Sequence, residues 1–268
     1  MNNTVSLYIA DRLSQANSLI APEQHPWLST DELKKIQRFK FEEHQQLSYL
    51  SKLVLRWGLA DVTGETPESF CFSKGKHGKP YIKNRPDLHF NLSHTKDIVV
   101  LAVSQAESLS RLGVDVEQVN ARRGSYKLAN RFFSVSEKHQ LLEQTPWETA
   151  GVERFNQFWT LKEAFIKVLG TGLATPLKKF AFDLTSPREI KLSVDPDVEV
   201  GDTPWHFHLY QHGDLTRIAL GFQSSFEHSV EVKHLTFNTD QNIEQLPSIE
   251  VSSTTGITTL ASGLSLRL

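Results

Sequence analysis

FNQFWTLKEAFIKVLGTG, Phe155 to Gly172, decides how the rest of the chain is read. Phe155, Phe158, Trp159, Leu161, Ala164, Phe165, Ile166, Val168 and Leu169 recur at helical spacing over an arc too wide for a surface helix, which predicts a buried one. Gly170 and Gly172 are its stop signals. On the narrow stripe that remains sit Asn156, Thr160, Glu163 and Lys167, three or four positions apart, so the last two project from one face. Lys162 lies about 100° around the helix from Glu163 and points elsewhere. Taken alone, Glu163 and Lys167 read more commonly as an i,i+4 surface pair.

A second stretch changes that balance. In RLGVDVE, Arg111 to Glu117, Leu112, Val114 and Val116 alternate with Gly113, Asp115 and Glu117, the pattern of a half-buried strand. Asp115 and Glu117 then share a face, and two carboxylates side by side call for a cation. With Glu163 they make an all-oxygen set, which suits Mg²⁺ better than zinc because no His or Cys stands at ligand spacing. Alone, D-x-E more often marks a solvated acidic strand edge.

The 268 residues are enough for two modest lobes, and 39% hydrophobic with 22% charged residues is ordinary globular composition. A net charge of −2 gives no bulk attraction to nucleic acid or anionic lipid, so neither is expected as a partner, and any bound anion needs a local basic patch. The lone Cys71 excludes an internal disulfide, fits a reducing compartment and is expected as a small buried hydrophobe. The opening MNNTVSLYIADR lacks the pattern of a signal peptide, and the longest apolar run, Ile98 to Val103, is far short of the roughly 20 residues that span a bilayer. A cytoplasmic monomer is the expectation.

Along the chain, Thr4 to Ala10 reads as a strand. A helix starts at Ser29 and carries Lys34, Lys35, Arg38 and Lys40, and a longer one runs from Phe41 to Val62 with Leu47, Leu50, Leu53, Val54 and Trp57 inward. GKHGKP, Gly75 to Pro80, is a basic glycine-containing turn able to approach a phosphate or nucleotide. Leu88 to Ser93 and Ile98 to Val103 form a hairpin with Ser93 and His94 at a strand end. Anion contact and turn capping both fit that pair, whereas a catalytic Ser–His pair does not, because adjacent side chains there diverge. NARRGSY, Asn120 to Tyr126, is a basic loop, followed by helices over Lys127 to Phe133 and Ser136 to Glu143 with Ser136 as N-cap. Pro176 to Leu184, Trp205 to Tyr210, Arg217 to Gln223 and Val230 to Phe237 read as strands. His206 and His208 alternate on one strand face without a further ligand spaced to join them. From Asn238 the polar composition reads as a loosely held tail. The predicted class is α+β, with two pseudo-symmetric lobes that each pack a small, mainly antiparallel sheet on a long helix. The divisions are 1–105, 106–237 and a tail over 238–268.

GVDVE at Gly113 to Glu117, FWTLKEAFIKVLGTGL at Phe158 to Leu173, HGKPYI at His77 to Ile82, FNLSHT at Phe90 to Thr95 and RFFSVSE at Arg131 to Glu137 stand in one order. In that order the chain resembles the 4′-phosphopantetheinyl transferases of the Sfp type, over roughly Thr4 to Phe237. The pairing of G-[IV]-D-[IV]-E with W-x-x-K-E-[AS] is specific, although either half alone is weak.

The resemblance implies transfer of the phosphopantetheine arm of coenzyme A to a serine of an apo acyl or peptidyl carrier protein, releasing 3′,5′-ADP, in a cleft between the two lobes. It implies Mg²⁺ among Asp115, Glu117 and Glu163. Lys35, Ser93 and His94 are then contacts to coenzyme A phosphates, Lys79 lies near the adenine, and Lys162 and Lys167 approach the pyrophosphate. Lys167 would stabilise charge on the phosphoryl oxygens, and Glu163 would take the serine proton directly or through a water on the metal. Arg122 and Arg123, in the loop after the carboxylate strand, are the expected docking site for an acidic carrier. One departure stands out: at Gln46 and Leu47, where family members often carry a base that grips the 3′-phosphate, this chain has none, and Lys52 or Arg56 on the same helix would substitute. A Mg²⁺-dependent phosphoesterase and an inactive coenzyme A- or carrier-binding module are the competing classes.

Overall fold

The computed structural model describes residues 3–13, 26–75, 78–119, 126–144, 146–186, 189–226, 228–237, 243–245, 249–251 and 256–260. From the N terminus, β1 (Thr4–Asp11) leads to α1 (Thr30–Gln37) and α2 (Glu42–Thr63), then to β2 (Phe72–Lys74), β3 (Pro80–Ile82), β4 (His89–His94) and β5 (Ile98–Ser104). Next come β6 (Leu109–Gln118), α3 (Tyr126–Phe132), α4 (Val135–Leu142) and α5 (Val152–Leu169), followed by β7 (Phe180–Asp183), β8 (Lys191–Val194), β9 (Trp205–His212) and β10 (Thr216–Ser224). β11 (Ser229–Phe237) and the short β12 (Ile243–Gln245), β13 (Ile249–Val251) and β14 (Gly256–Leu260) complete the order. These elements form two compact units, Met1–Glu107 with His228–Ser252, and Ser108–Glu227 with Ser253–Leu268. The class is α+β, and each unit sets one long helix on a mainly antiparallel sheet.

In the first unit the strand order is β12-β11-β1-β5-β4, with β13 also on β11. β11 runs parallel to β1, with Leu7 opposite Val232. The sequence division groups this strand with the second half; its pairing with β1 places it in the first unit. α2 buries Leu50, Leu53, Val54 and Leu59 against Tyr8, Leu101 and Val103. It can lie that close because Gly58 has no side chain: a Cβ there would stand 2.5 Å from Leu101 Cδ2. α1 starts as expected at Ser29, whose side chain and that of Glu32 close a capping box.

In the second unit the order is β14-β9-β10-β6, and α5 crosses β6 and β10. Phe158, Leu161 and Phe165 of α5 meet Phe207, Leu209 and Ala219 of the sheet. The predicted helix is therefore present, and Gly170 ends it in the left-handed conformation at φ 70°. β6 is buried more deeply than the alternation predicts, because α5 also covers the face that carries Gly113 and Asp115. Asn156 and Thr160, expected on the polar stripe, are buried and bond the carbonyls of Val152 and Asn156 one turn back.

Three further expectations change. The N-cap of α4 is Ser134, which shares a capping box with Glu137, and Ser136 lies inside the first turn. Cys71 is exposed. The region after Asn238, read as loose, contributes β12 and β13 to β11 and β14, in parallel, to β9. Backbone pairing on an edge strand needs no apolar pattern, so composition did not reveal it.

Candidate active site

Gly113 is the residue that brings the chemistry together. A Cβ at this position would stand 2.5 Å from Val168 N and 2.7 Å from Ala164 O, so glycine lets α5 lie directly on β6. Asp115 and Glu117 follow at two-residue spacing on the same face, under the stripe of α5 that carries Trp159, Glu163 and Lys167. Lys167 Nζ donates to Asp115 Oδ1 at 2.6 Å, and Trp159 Nε1 donates to Glu117 Oε1 at 3.0 Å. Asp115 is 4% exposed, so its charge needs such a partner. Glu163 lies between these two contacts. Its carboxyl is pushed up to about 7, first by burial and then by Asp115, with Lys167 opposing and Glu117 adding to the rise. A carboxyl near 7 can hold or release a proton at physiological pH.

The three carboxylates expected to share a cation are therefore electrostatic neighbours. Among the described residues no group of three His, Cys, Asp or Glu side chains stands close enough to hold a metal ion. Asp115 is turned to Lys167 and Glu117 to Trp159 instead. As a donor set they fit a hard divalent cation, because the donors are oxygens alone. His206 and His208 do not form a comparable set. His208 is 1% exposed, and burial with the neighbouring His206 lowers its pKa to about 4.

Lys162 is a correction to the phosphate contacts. It is wholly buried, with Nζ donating to the carbonyls of Leu177 and Phe180, both at 2.7 Å, and paired with Glu137 at 2.9 Å. The 100° offset from Glu163 aims it into the core of the second unit, away from the carboxylates. Burial lowers its pKa, and Glu137 opposes the fall.

The remaining candidates lie in the first unit. Ser93 is buried and His94 exposed at the end of β4, with His94 Nδ1 3.3 Å from Thr95 O. Lys79 is near the start of the same strand, where its charge, after burial, lowers the pKa of His89. Lys35 is exposed in the last turn of α1. Of the two proposed substitutes for the missing base on α2, Arg56 is buried on other partners and Lys52 is half-buried. Arg56 is 4% exposed, with NH2 2.7 Å from Glu32 and NH1 donating to Pro67 O and Phe70 O, and Lys52 also pairs with Glu32 at 3.5 Å. The guanidinium beside Gln46 comes from Arg12 at the end of β1, whose NH1 donates to Gln46 Oε1 at 3.0 Å while NH2 pairs with Asp97 at 2.7 Å. Arg122 and Arg123 lie outside the described residues.

Residues 111–223 match the 4′-phosphopantetheinyl transferase superfamily, and residues 22–106 match the description 4′-phosphopantetheinyl transferase, N-terminal. A Bacillus subtilis 4′-phosphopantetheinyl transferase is 30% identical over 193 residues, covering 72% of this chain and 81% of that protein. The Bacillus pumilus 4′-phosphopantetheinyl transferase psf-1 is 32% identical over 174 residues, covering 65% and 71%. The Xenopus laevis L-aminoadipate-semialdehyde dehydrogenase-phosphopantetheinyl transferase is 26% identical over 233 residues, covering 77% and 74%. The chain belongs to the 4′-phosphopantetheinyl transferase family.

Proposed function

We propose that the protein transfers the 4′-phosphopantetheine arm of coenzyme A to a serine hydroxyl of an apo carrier protein, releases 3′,5′-ADP, and depends on Mg²⁺ held by Asp115, Glu117 and Glu163. The observation that carries the reading is the meeting of Asp115, Glu163 and Lys167 across the Gly113 contact. A divalent cation held by Asp115, Glu117 and Glu163 would supply positive charge beside the pyrophosphate. Glu163 accepts the proton of the serine Oγ as that oxygen bonds to the β-phosphorus of coenzyme A, and the bond to the 3′,5′-ADP oxygen breaks. Lys167, exchanging Asp115 for a phosphoryl oxygen, stabilises the charge that accumulates there. Trp159 fixes Glu117 in place. Lys35, Lys79, Ser93 and His94 supply contacts to the nucleotide end of coenzyme A, and Arg122 with Arg123 attract the acidic carrier. The protein acts as a monomer in the cytoplasm.

Three variants, Asp115→Asn, Glu117→Gln and Glu163→Gln, test the assignment. Each should abolish transfer and keep its circular dichroism spectrum, and excess EDTA should silence the wild type. Normal turnover by the Asp115 or Glu163 variant, or full activity in EDTA, contradicts the proposed site.

A further inference from the structure

Lys162 sits beside Glu163 in sequence yet spends its charge inside the protein, and the cage around it is complete. Nζ reaches two carbonyls in the segment that follows α5, Leu177 O and Phe180 O, and the carboxylate of Glu137 on α4. Two aromatic rings close it off, Phe180 with its centroid at 4.2 Å and Phe133 at 5.8 Å. The cage is itself fixed. Glu137 accepts from Phe182 N on β7 and from Ser134 N at the cap of α4, while Gln140 accepts from Leu184 N and donates to Phe182 O. α4 thus reads the backbone of β7 as a neighbouring strand would, and Lys162 plugs α5 into that seam.

A wholly buried lysine is a costly way to attach a helix. Apolar side chains of the same volume generally hold two elements together at least as well, because neither charge has to leave water. Directional bonds differ in one respect. Apolar contact tolerates rotation and sliding of a helix, whereas three short bonds to fixed acceptors tolerate neither. We propose that Lys162 is a positioning residue for the transfer reaction: its bonds to Leu177 O, Phe180 O and Glu137 set the rotation of α5, and so hold Glu163 against Asp115 and Glu117. The inference rests on the function proposed above. Because the two residues are adjacent on one rigid helix, any rotation at Lys162 is passed to Glu163. At the radius of helix side chains, about 6 Å, a rotation of about 10° moves a carboxylate by about 1 Å. Misplacement on that scale is enough to lower a chemical step about 100-fold.

The test compares Lys162→Met with the double variant Lys162→Met/Glu137→Gln. The single variant strands the Glu137 carboxylate in the core and is expected to unfold readily. The double variant leaves no buried charge, and the amide introduced by Glu137→Gln retains an oxygen for Phe182 N while giving up the bond from Ser134 N. The double variant should unfold cooperatively on heating, as the wild type does. Its kcat for carrier modification should fall roughly 10- to 100-fold with the KM for coenzyme A within about twofold, the signature of a group felt in the transition state. The Mg²⁺ concentration giving half-maximal stabilisation against heat should also rise, because Glu163 is one of the three donors. A wild-type kcat in the folded double variant assigns Lys162 to stability alone and overturns the proposal. So does a double variant that cannot fold. A raised KM for coenzyme A at unchanged kcat overturns it in favour of direct phosphate contact. If wild-type protein run alongside modifies no carrier, the underlying function fails and this inference falls with it; a wild type that transfers beside a fast double variant condemns the inference alone.

Discussion

Gly113→Ala is the smallest change that should separate the two halves of the active site. The added Cβ would stand 2.5 Å from Val168 N and 2.7 Å from Ala164 O, against the 3.4 Å at which ordinary contact begins. Both atoms are backbone, so no rotamer can relieve the clash. α5 has to withdraw from β6 by about 0.9 Å, the difference between 3.4 and 2.5 Å. That movement carries Glu163 and Lys167 away from Asp115. Overpacking of this kind typically costs about 1–3 kcal/mol. For a chain of this size each kcal/mol lowers the melting temperature by roughly 2–4 °C. A displacement near 1 Å in the catalytic geometry should lower kcat by about 100-fold. Steady-state transfer to an apo carrier and thermal unfolding by circular dichroism measure the two effects. A variant that melts at lower temperature but turns over within about twofold of wild type would show that the β6 contact does not place Glu163. An unchanged melting temperature would show that the close approach itself is absent.

Two further expectations follow from the buried charges. The carboxyl of Glu163 is raised from 4.5 to about 7. The folded protein therefore binds this proton more tightly than the unfolded chain does. The contribution to stability is full below about pH 4.5 and is lost as the pH rises towards 7. In EDTA, wild type should lose melting temperature across that window relative to Glu163→Gln, and Mg²⁺, which favours the ionised carboxyl, should remove the difference. Parallel pH profiles in EDTA would contradict the shift. Arg56→Met should destabilise the first unit by about 1–3 kcal/mol, because the buried Glu32 loses its 2.7 Å partner and keeps Lys52 at 3.5 Å, and should leave the KM for coenzyme A unaltered. An increase in that KM with normal stability would restore Arg56 as a phosphate contact.

Much of the second unit was legible in the sequence. The wide apolar arc predicted α5, and the period-two placement of Gly113, Asp115 and Glu117 put the carboxylates on one face opposite Glu163. The offset of Lys162 from Glu163 already turned it away from the carboxylates, and the structure carries it into the interior where the family resemblance suggests a phosphate contact. Arg56 carried a similar signal: it lies three positions from both Leu53 and Leu59, on the buried face of α2. Ser134 could have been preferred over Ser136, since Glu137 stands at the third position after Ser134 and closes a capping box. Other features depend on parts of the chain far apart. The bond from Trp159 to Glu117 spans 42 residues, and the approach of Arg12 to Gln46 spans 34; neither has a local pattern. The strands after Asn238 form through backbone pairing, to which composition is blind.

In the proposed reaction a carrier serine displaces 3′,5′-ADP from coenzyme A at the site built by Asp115, Glu117, Glu163 and Lys167. Intact-mass spectrometry of an apo carrier protein, incubated with the enzyme, coenzyme A and Mg²⁺, measures that event itself. The carrier should gain about 340 Da, the mass of a covalently attached phosphopantetheine. One 3′,5′-ADP should be released per carrier modified, and neither product should form with Glu163→Gln. An unmodified carrier beside hydrolysed coenzyme A would contradict the proposed reaction and identify a phosphoesterase, and an unmodified carrier beside intact coenzyme A would identify a binding module.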